Sequence, residues 1–418
     1  MDIKNLIQIK SKYLILVSKL FLFLFVFLSC NNNRINHRLS ENTISKRPEI
    51  NKNKIITAAN QTTAYLPLLK NKRVAIVTNH TSVVFKDDNS FTHLVDTLIS
   101  LQVNITKVFA PEHGFRGKAD AGEHVADNID KKTNLPIVSL YGKNRKPKLE
   151  ILDNIDVVLF DIQDVGVRFY TYISTMTNVM EACAEVGIPM IVLDRPNPNG
   201  HYIDGPTLEI EHKSFVGMHP IPLVYGLTIG EYANMVNGEK WFKDDLQCDI
   251  TVIPLKNYTH KSEYNLPIRP SPNLPNDKSI NLYPSLGFFE GTIISAGRGT
   301  EYQFQRYGAP FFPKTDFSYT PRPNFGSKYP KFNGELCYGV ELSKTPKLSS
   351  VDISFLIDAY NKTPKSKEFF GKTFTVHAGT LNLRKQIEAG MNAEEIKATW
   401  QKDIEIFKNI RSKYLIYK

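Results

Sequence analysis

The chain is poor in cysteine and tryptophan, with four of the first and two of the second among 418 residues. Cys30, Cys183, Cys248 and Cys337 lie far apart and form no Cys-x-x-Cys pair. That spacing argues against a zinc knuckle or a disulfide framework, and buried, inert thiols are expected instead. His-Glu-x-x-His is missing, and His80, His113, His124 and His219 show no metal-ligand spacing on one helix. No Gly-x-Gly-x-x-Gly follows the first apolar run and no Walker sequence occurs, so neither a dinucleotide nor a nucleoside triphosphate is implied. A Gly-x-Ser-x-Gly elbow is also missing, which weakens a serine-hydrolase reading. The formal charge is +10. The basic residues are nevertheless scattered, with no dense run to track a phosphate backbone, so nucleic acid is not an expected partner. No cofactor and no metal are expected.

What is present begins with a targeting pattern. Lys4, Lys10, Lys12 and Lys19 precede an apolar run from Leu20 to Leu28, too short to span a bilayer comfortably. The run enters Phe27-Leu28-Ser29-Cys30, which resembles a bacterial lipoprotein signal in which Cys30 becomes the lipidated first residue. The alternative is a plain secretory signal, and both predict export. Removing residues 1–29 leaves 48 basic and 41 acidic residues. Residues 30–54 read as a polar tether without apolar periodicity. No acidic cluster follows Cys30, which favours the periplasmic face of a membrane.

Beyond the tether, short apolar runs alternate with helical patterns. Strands are predicted at 72–78, 105–110, 136–140, 155–160, 189–193 and 250–255. Helices are predicted at 91–101, 171–186 and 227–238, the last with a capping-box pattern of Thr228 and Glu231. Continuous Val/Ile/Leu runs imply strands covered on both faces. The expected fold is therefore α/β, a Rossmann-like parallel sheet over 55–256. From 257 the chain becomes rich in Pro, Tyr, Phe, Gly and Asn. A smaller α/β domain is expected over 257–418, with helices at 351–360 and 393–414 and a strand at 373–377. A cleft between the two is the expected site.

Polar clusters stand at the ends of the apolar runs, where open α/β sheets bind ligands. They are Asn79-His80, Glu112-His113, Asp161 to Asp164 and Asp194-Arg195-Asn197. Paired carboxylates are the machinery of glycoside hydrolysis, and Glu112, Glu123, Asp161 and Asp164 are candidates. A structural role for Asp161 and Asp164, capping the next helix and pairing with Arg168, is an equal alternative. Arg116, Arg168, Arg195, Arg298 and Arg306 sit in Gly- or aromatic-rich contexts, where a guanidinium fork suits a substrate carboxylate. Tyr170 and Tyr172 could stack on a sugar or simply pack.

Three strings carry a family resemblance: Ala110-Pro-Glu-His-Gly-Phe-Arg-Gly117, Phe160 to Tyr172, and Leu193-Asp-Arg-Pro-Asn-Pro-Asn-Gly200. Leu227 to Glu231, Pro270 to Pro275, Phe289 to Thr292 and Gly297 to Glu301 add to it. Together they resemble the exo-β-N-acetylmuramidases, a glycoside hydrolase family, from about residue 55 to the end. The resemblance implies a Rossmann-like domain, a smaller C-terminal domain and a site between them. It implies release of terminal N-acetylmuramic acid from peptidoglycan-derived glycan at non-reducing ends. Glu112 leaves a strand end directly into the expected cleft and is the candidate general acid, with Glu123 or Asp164 as the second acid/base group. Asn79, His113, Arg168, Tyr172, Asn197, Arg298 and Glu301 are expected to line the sugar pocket. Two rival functions fit export equally: a solute-binding protein for muropeptides, and a metal-dependent amidase or esterase.

Overall fold

A computed structural model describes residues 54–88, 90–117, 127–142 and 144–418. The expected signal, Cys30 and nearly all of the tether lie outside the described residues, as does Glu123. Among the described residues no helix is long and apolar enough to cross a membrane.

Six parallel strands form the main sheet: β1 (Val74–Thr78), β4 (Ile105–Ala110), β6 (Pro136–Ser139), β7 (Val157–Asp161), β8 (Met190–Leu193) and β9 (Ile250–Ile253). A short antiparallel strand, β5 (Asn128–Ile129), closes one edge, and the order is β5-β6-β4-β1-β7-β8-β9. β1 pairs with β4 on one side and β7 on the other, so the winding direction reverses between β1 and β7. A doubly wound sheet opens its ligand crevice at that switch point, beyond the strands' carboxyl ends. All five residues of β1 and all five of β7 are buried, as their unbroken apolar runs require.

The helices follow from sequence signals with two adjustments. Tyr172–Val186 buries Ile173, Met176, Val179, Met180 and Cys183 on the sheet and stops at Gly187, which has φ of +71°. Each large apolar side chain so covered contributes about 1.5–3 kcal/mol. Ile229–Gly238 starts with the predicted capping box of Thr228 and Glu231. The pattern over 91–101 divides. Phe91–His93 pairs with Val83–Phe85 in a hairpin, and the helix is Leu94–Ser100 with the His93 ring accepting from the Val95 amide. The pattern over 393–414 also divides, into Ala393–Ala398 and Gln401–Ser412.

The second half holds a three-stranded antiparallel sheet of β10 (Arg306–Ala309), β12 (Cys337–Glu341) and β11 (Ser318–Tyr319). The strand expected at 373–377 is a helix, Phe374–Ala378. Its neighbours Phe369 and Gly371 take the extended pairing instead, with Ile293 N on Phe369 O at 3.1 Å and Gly371 N on Gly291 O at 2.8 Å. Phe374 then packs against Phe370 and Phe288, so tertiary contact overrides the alternating pattern. One apolar cluster runs from Ala75 to Phe407 through both halves. Cys183, Cys248 and Cys337 are buried free thiols.

Candidate active site

Pro111 ends β4 and turns the chain into tight loops. His113, Gly114 and Gly117 all have φ between +70° and +74°. A Cβ on Gly117 would meet the His80 ring at 2.5 Å, so the loop lies against the end of β1 only because that residue is glycine. The loop carries Glu112, which remains partly exposed. Its Oε1 accepts from the Tyr141 hydroxyl at 3.1 Å and its Oε2 from the Thr171 hydroxyl at 2.9 Å. Tyr141 follows β6 and Thr171 precedes the helix after β7, so three strand ends converge on one carboxyl group. Burial and the Glu112 charge push the Tyr141 phenol up to about 12, which keeps it a donor.

A mostly buried wall of aromatic rings runs from Tyr172 into the second half. The Tyr172 and Tyr170 rings lie 4.9 Å apart, Tyr170 and Tyr283 6.1 Å, and Tyr283 and Phe304 4.8 Å. The Tyr170 hydroxyl donates to Pro270 O at 2.6 Å, tying the wall to the loop at 269–275. At the far end the Arg298 guanidinium lies 5.7 Å from the Phe304 ring centre. Its Nε is 3.0 Å from a Glu290 carboxylate oxygen, and both side chains are about one-quarter exposed. Behind them Lys331 donates its Nζ to the carbonyls of Phe289, Thr292 and Ile294. Enclosure raises the Glu290 carboxyl, but Arg298, Lys331 and His377 outweigh it and hold the net value below the ordinary range. Glu290 therefore stays ionised and keeps Arg298 in place. Burial pushes the Tyr283 phenol up, and the charges of Glu290, Arg298, Glu112 and Asp164 also act on it.

Asp164 sits under this wall, 6 % exposed. Its Oδ2 accepts from the Gly166 amide at 2.7 Å and from the Tyr225 hydroxyl, while Oδ1 is buried without a hydrogen-bond partner. Burial raises its carboxyl to about 6, with the Tyr225 bond and the Gly166 and Val165 amides pulling the other way.

Two of the four strand-end clusters turn inward. Asp161 is fully buried and takes a two-pronged bond from Arg195, Nε at 2.5 Å and Nη2 at 2.8 Å. Burial works against the Arg195 charge, yet Asp161 holds the guanidinium above its ordinary value. Asp194 accepts from Thr228 Oγ1, the Gly230 amide and the Tyr417 hydroxyl, joining three segments of chain.

The structure brings some expected site residues together and corrects others. Asn79 is fully buried and its Oδ1 accepts from the Thr81 amide and hydroxyl, which shapes the turn after β1. His113 and Tyr172 are 3 % and 1 % exposed, forming the layer beneath Glu112 rather than its open face. Arg168 does not pair with Asp161 or Asp164. It is fully buried, and its guanidinium holds the carbonyls of Pro206, Ile221, His377 and Ala378. With no carboxylate partner, burial lowers it to about 9. Asn197 is likewise spent inside the protein: Nδ2 donates to Leu227 O and Oδ1 accepts from the Asn199 amide. Glu301 is exposed, with Oε1 3.5 Å from Asn324 Nδ2. Among the described residues, Glu112 and Arg298 are the two expected side chains that are partly exposed, and Glu301 is the exposed one. Sequence reading missed Tyr141, Thr171, Tyr283, Glu290 and Lys331. Tyr141 was findable, because it stands one residue past an expected strand end, and Glu290 lay inside a string already singled out.

Partly exposed carboxylates and an arginine thus stand beside packed aromatic rings beyond the strand ends of a doubly wound sheet, where such folds bind ligands. Residues 74–278 match the family model of the exo-β-N-acetylmuramidase NamZ N-terminal domain, and residues 281–417 match that of its C-terminal domain. The chain is 42 % identical over 375 residues to the peptidoglycan β-N-acetylmuramidase NamZ of Bacillus subtilis strain 168, covering 84 % of this chain and 89 % of that protein. Two crystal structures of DUF1343 family proteins from Bacteroides fragilis have the same fold. One has a TM-score of 0.80 at 47 % identity, covering 87 % of this chain and 99 % of the other. The second has a TM-score of 0.74 at 30 % identity, covering 88 % and 100 %. The chain belongs to the exo-β-N-acetylmuramidase family.

Proposed function

We propose that this protein is an exo-acting glycosidase that releases terminal N-acetylmuramic acid from the non-reducing ends of peptidoglycan fragments such as MurNAc-GlcNAc. The observation that carries the reading is Glu112, a partly exposed carboxyl group within the family-matched segment whose oxygens accept from the Tyr141 and Thr171 hydroxyls. A carboxyl group presented at that strand end supports a role as the acid that protonates a leaving glycosidic oxygen. Asp164, raised to about 6 and with one oxygen lacking a protein partner, supports a role as the second acid/base group. Glu123 is its rival for that role. Arg298, ion-paired yet partly open, supports capture of the lactyl carboxylate that distinguishes muramic acid from glucosamine. In this reading the protein is exported and anchored through a lipid on Cys30, facing the periplasm. Radiolabelled fatty acid should enter the wild-type chain in cells and be lost in Cys30→Ser.

The decisive assay incubates the protein with MurNAc-GlcNAc and measures free MurNAc. Glu112→Gln keeps shape and removes the acid, so turnover of the disaccharide should fall by about 100-fold or more. An aryl glycoside with a good leaving group needs less protonation and should lose less. Near wild-type cleavage of the disaccharide by Glu112→Gln would remove Glu112 from the role.

A further inference from the structure

Phe325 and Tyr329 are 58 % and 94 % exposed, an unusual cost for two large aromatic side chains four residues apart. They do not hang on a slack loop. Asn324 and Ser327 exchange both backbone hydrogen bonds at 3.1 Å, which makes Phe325-Gly326 the tip of a tight hairpin. Gly326 has φ of +95°, and a Cβ there would meet Pro272 at 2.6 Å. Asn273 Nδ2 donates to Gly326 O at 2.6 Å, fixing the tip to the loop whose Pro270 carbonyl holds Tyr170. On its other side the hairpin is fixed to the turn that carries Arg298. Arg322 N donates to Gly299 O at 2.8 Å, and Asn324 Nδ2 donates to Thr300 O at 3.0 Å. Two residues past Tyr329, Lys331 enters the protein beneath Glu290. The hairpin thus bridges the 269–275 loop and the turn that carries Arg298, with the Phe325 ring at its tip and the Tyr329 ring just beyond it exposed to solvent.

We propose that Phe325 and Tyr329 form the leaving-side subsite, an aromatic rim that stacks on the N-acetylglucosamine and any further sugars beyond the bond being cleaved. This rests on the glycosidase reading. An exo-acting cleft encloses one terminal sugar, so the rest of the glycan must leave through its mouth. The anionic sugar belongs with Arg298 inside. The sugar that follows is neutral and presents a face of C–H groups, which fits an uncharged aromatic surface. The hairpin is already held on both sides, so binding costs little loop ordering.

The test compares Phe325→Ala, Tyr329→Ala and the double variant with the wild-type chain on MurNAc-GlcNAc and on a chromogenic aryl β-MurNAc glycoside. The rim contributes only where a leaving-side sugar exists. The ratio of kcat/KM on the disaccharide to that on the aryl glycoside should fall about tenfold in the double variant, through KM. Phe325→Tyr should restore most of the loss at that position. Equal losses on both substrates, or no loss on either, would overturn the rim. A binding arm separates this from failure of the glycosidase reading. With Glu112→Gln in every chain, calorimetric titration with MurNAc-GlcNAc should show weaker binding when both aromatics are removed. If the wild-type chain releases no MurNAc the glycosidase reading fails, and the titration still decides whether the rim holds sugar.

Discussion

At the residue scale, Glu112 and Asp161 show how similar carboxyl groups at strand ends come to different uses. Both follow apolar strands in the same sheet. Asp161 accepts from Arg195 at 2.5 and 2.8 Å in complete burial, so both of its oxygens are spent on the guanidinium inside the protein. Glu112 is partly exposed and accepts from the Tyr141 and Thr171 hydroxyls. Arg195→Met would leave Asp161 buried without its partner, and should destabilise the fold by about 3–5 kcal/mol in denaturant unfolding. A change near zero would mean that the pair is solvated. Asp164 adds a pH-dependent contribution. Its carboxyl is raised from 3.8 to about 6 in the folded protein. Between those values the native state keeps a proton that the unfolded chain has released. The contribution to stability is therefore full below about pH 4 and is lost as pH rises through about 6. Asp164→Asn cannot titrate, so its stability-against-pH curve should lack about one proton's worth of that fall. Identical slopes for both chains between pH 4 and 6 would contradict the raised value.

At the element scale, the helix Ile229–Gly238 shows a local signal with a distant consequence. Thr228 caps its first turn through the Glu231 amide, and Glu231 returns to the Thr228 amide. The same Thr228 hydroxyl donates to Asp194 at 2.8 Å. Thr228→Ala should therefore cost about 2 kcal/mol, at the upper end for a lost cap, read as a lower thermal midpoint. Thr228→Ser should recover most of it. Capping boxes, the ends of apolar runs and the Gly187 stop are all local, and they are legible in sequence because the chain alone meets their requirements. The residues 373–377 were not legible. Their alternation of Phe374 and Val376 reads as a strand, but Phe374 is placed by Phe370 and Phe288, which the sequence does not bring together. His93 is similar: helical spacing runs through 91–101, while pairing with Val83 withdraws its first three residues.

At the scale of the whole molecule, the C-terminal tail returns to the first sheet. The Tyr417 hydroxyl bonds Asp194 and the Leu255 amide, and Glu231 accepts from the amides of Ile416 and Tyr417. Arg411 donates to Gly226 O. The family models divide the chain between 278 and 281, but packing does not divide there, since the apolar core is continuous. The sequence by itself determined the parallel sheet, the strand ends and their polar clusters, because apolar runs and breakers act over a few residues. The strings that identify the family were also plain in it. Only the tertiary structure decided which of those clusters are buried and which stay partly exposed. Arg168 and Asn197 looked like ligands and are buried holding carbonyls and turns, while Glu290 and Tyr141 looked ordinary and answer Arg298 and Glu112. The reason is physical. A charged side chain's role depends on what desolvates it and what answers its charge, and both come from segments remote in sequence.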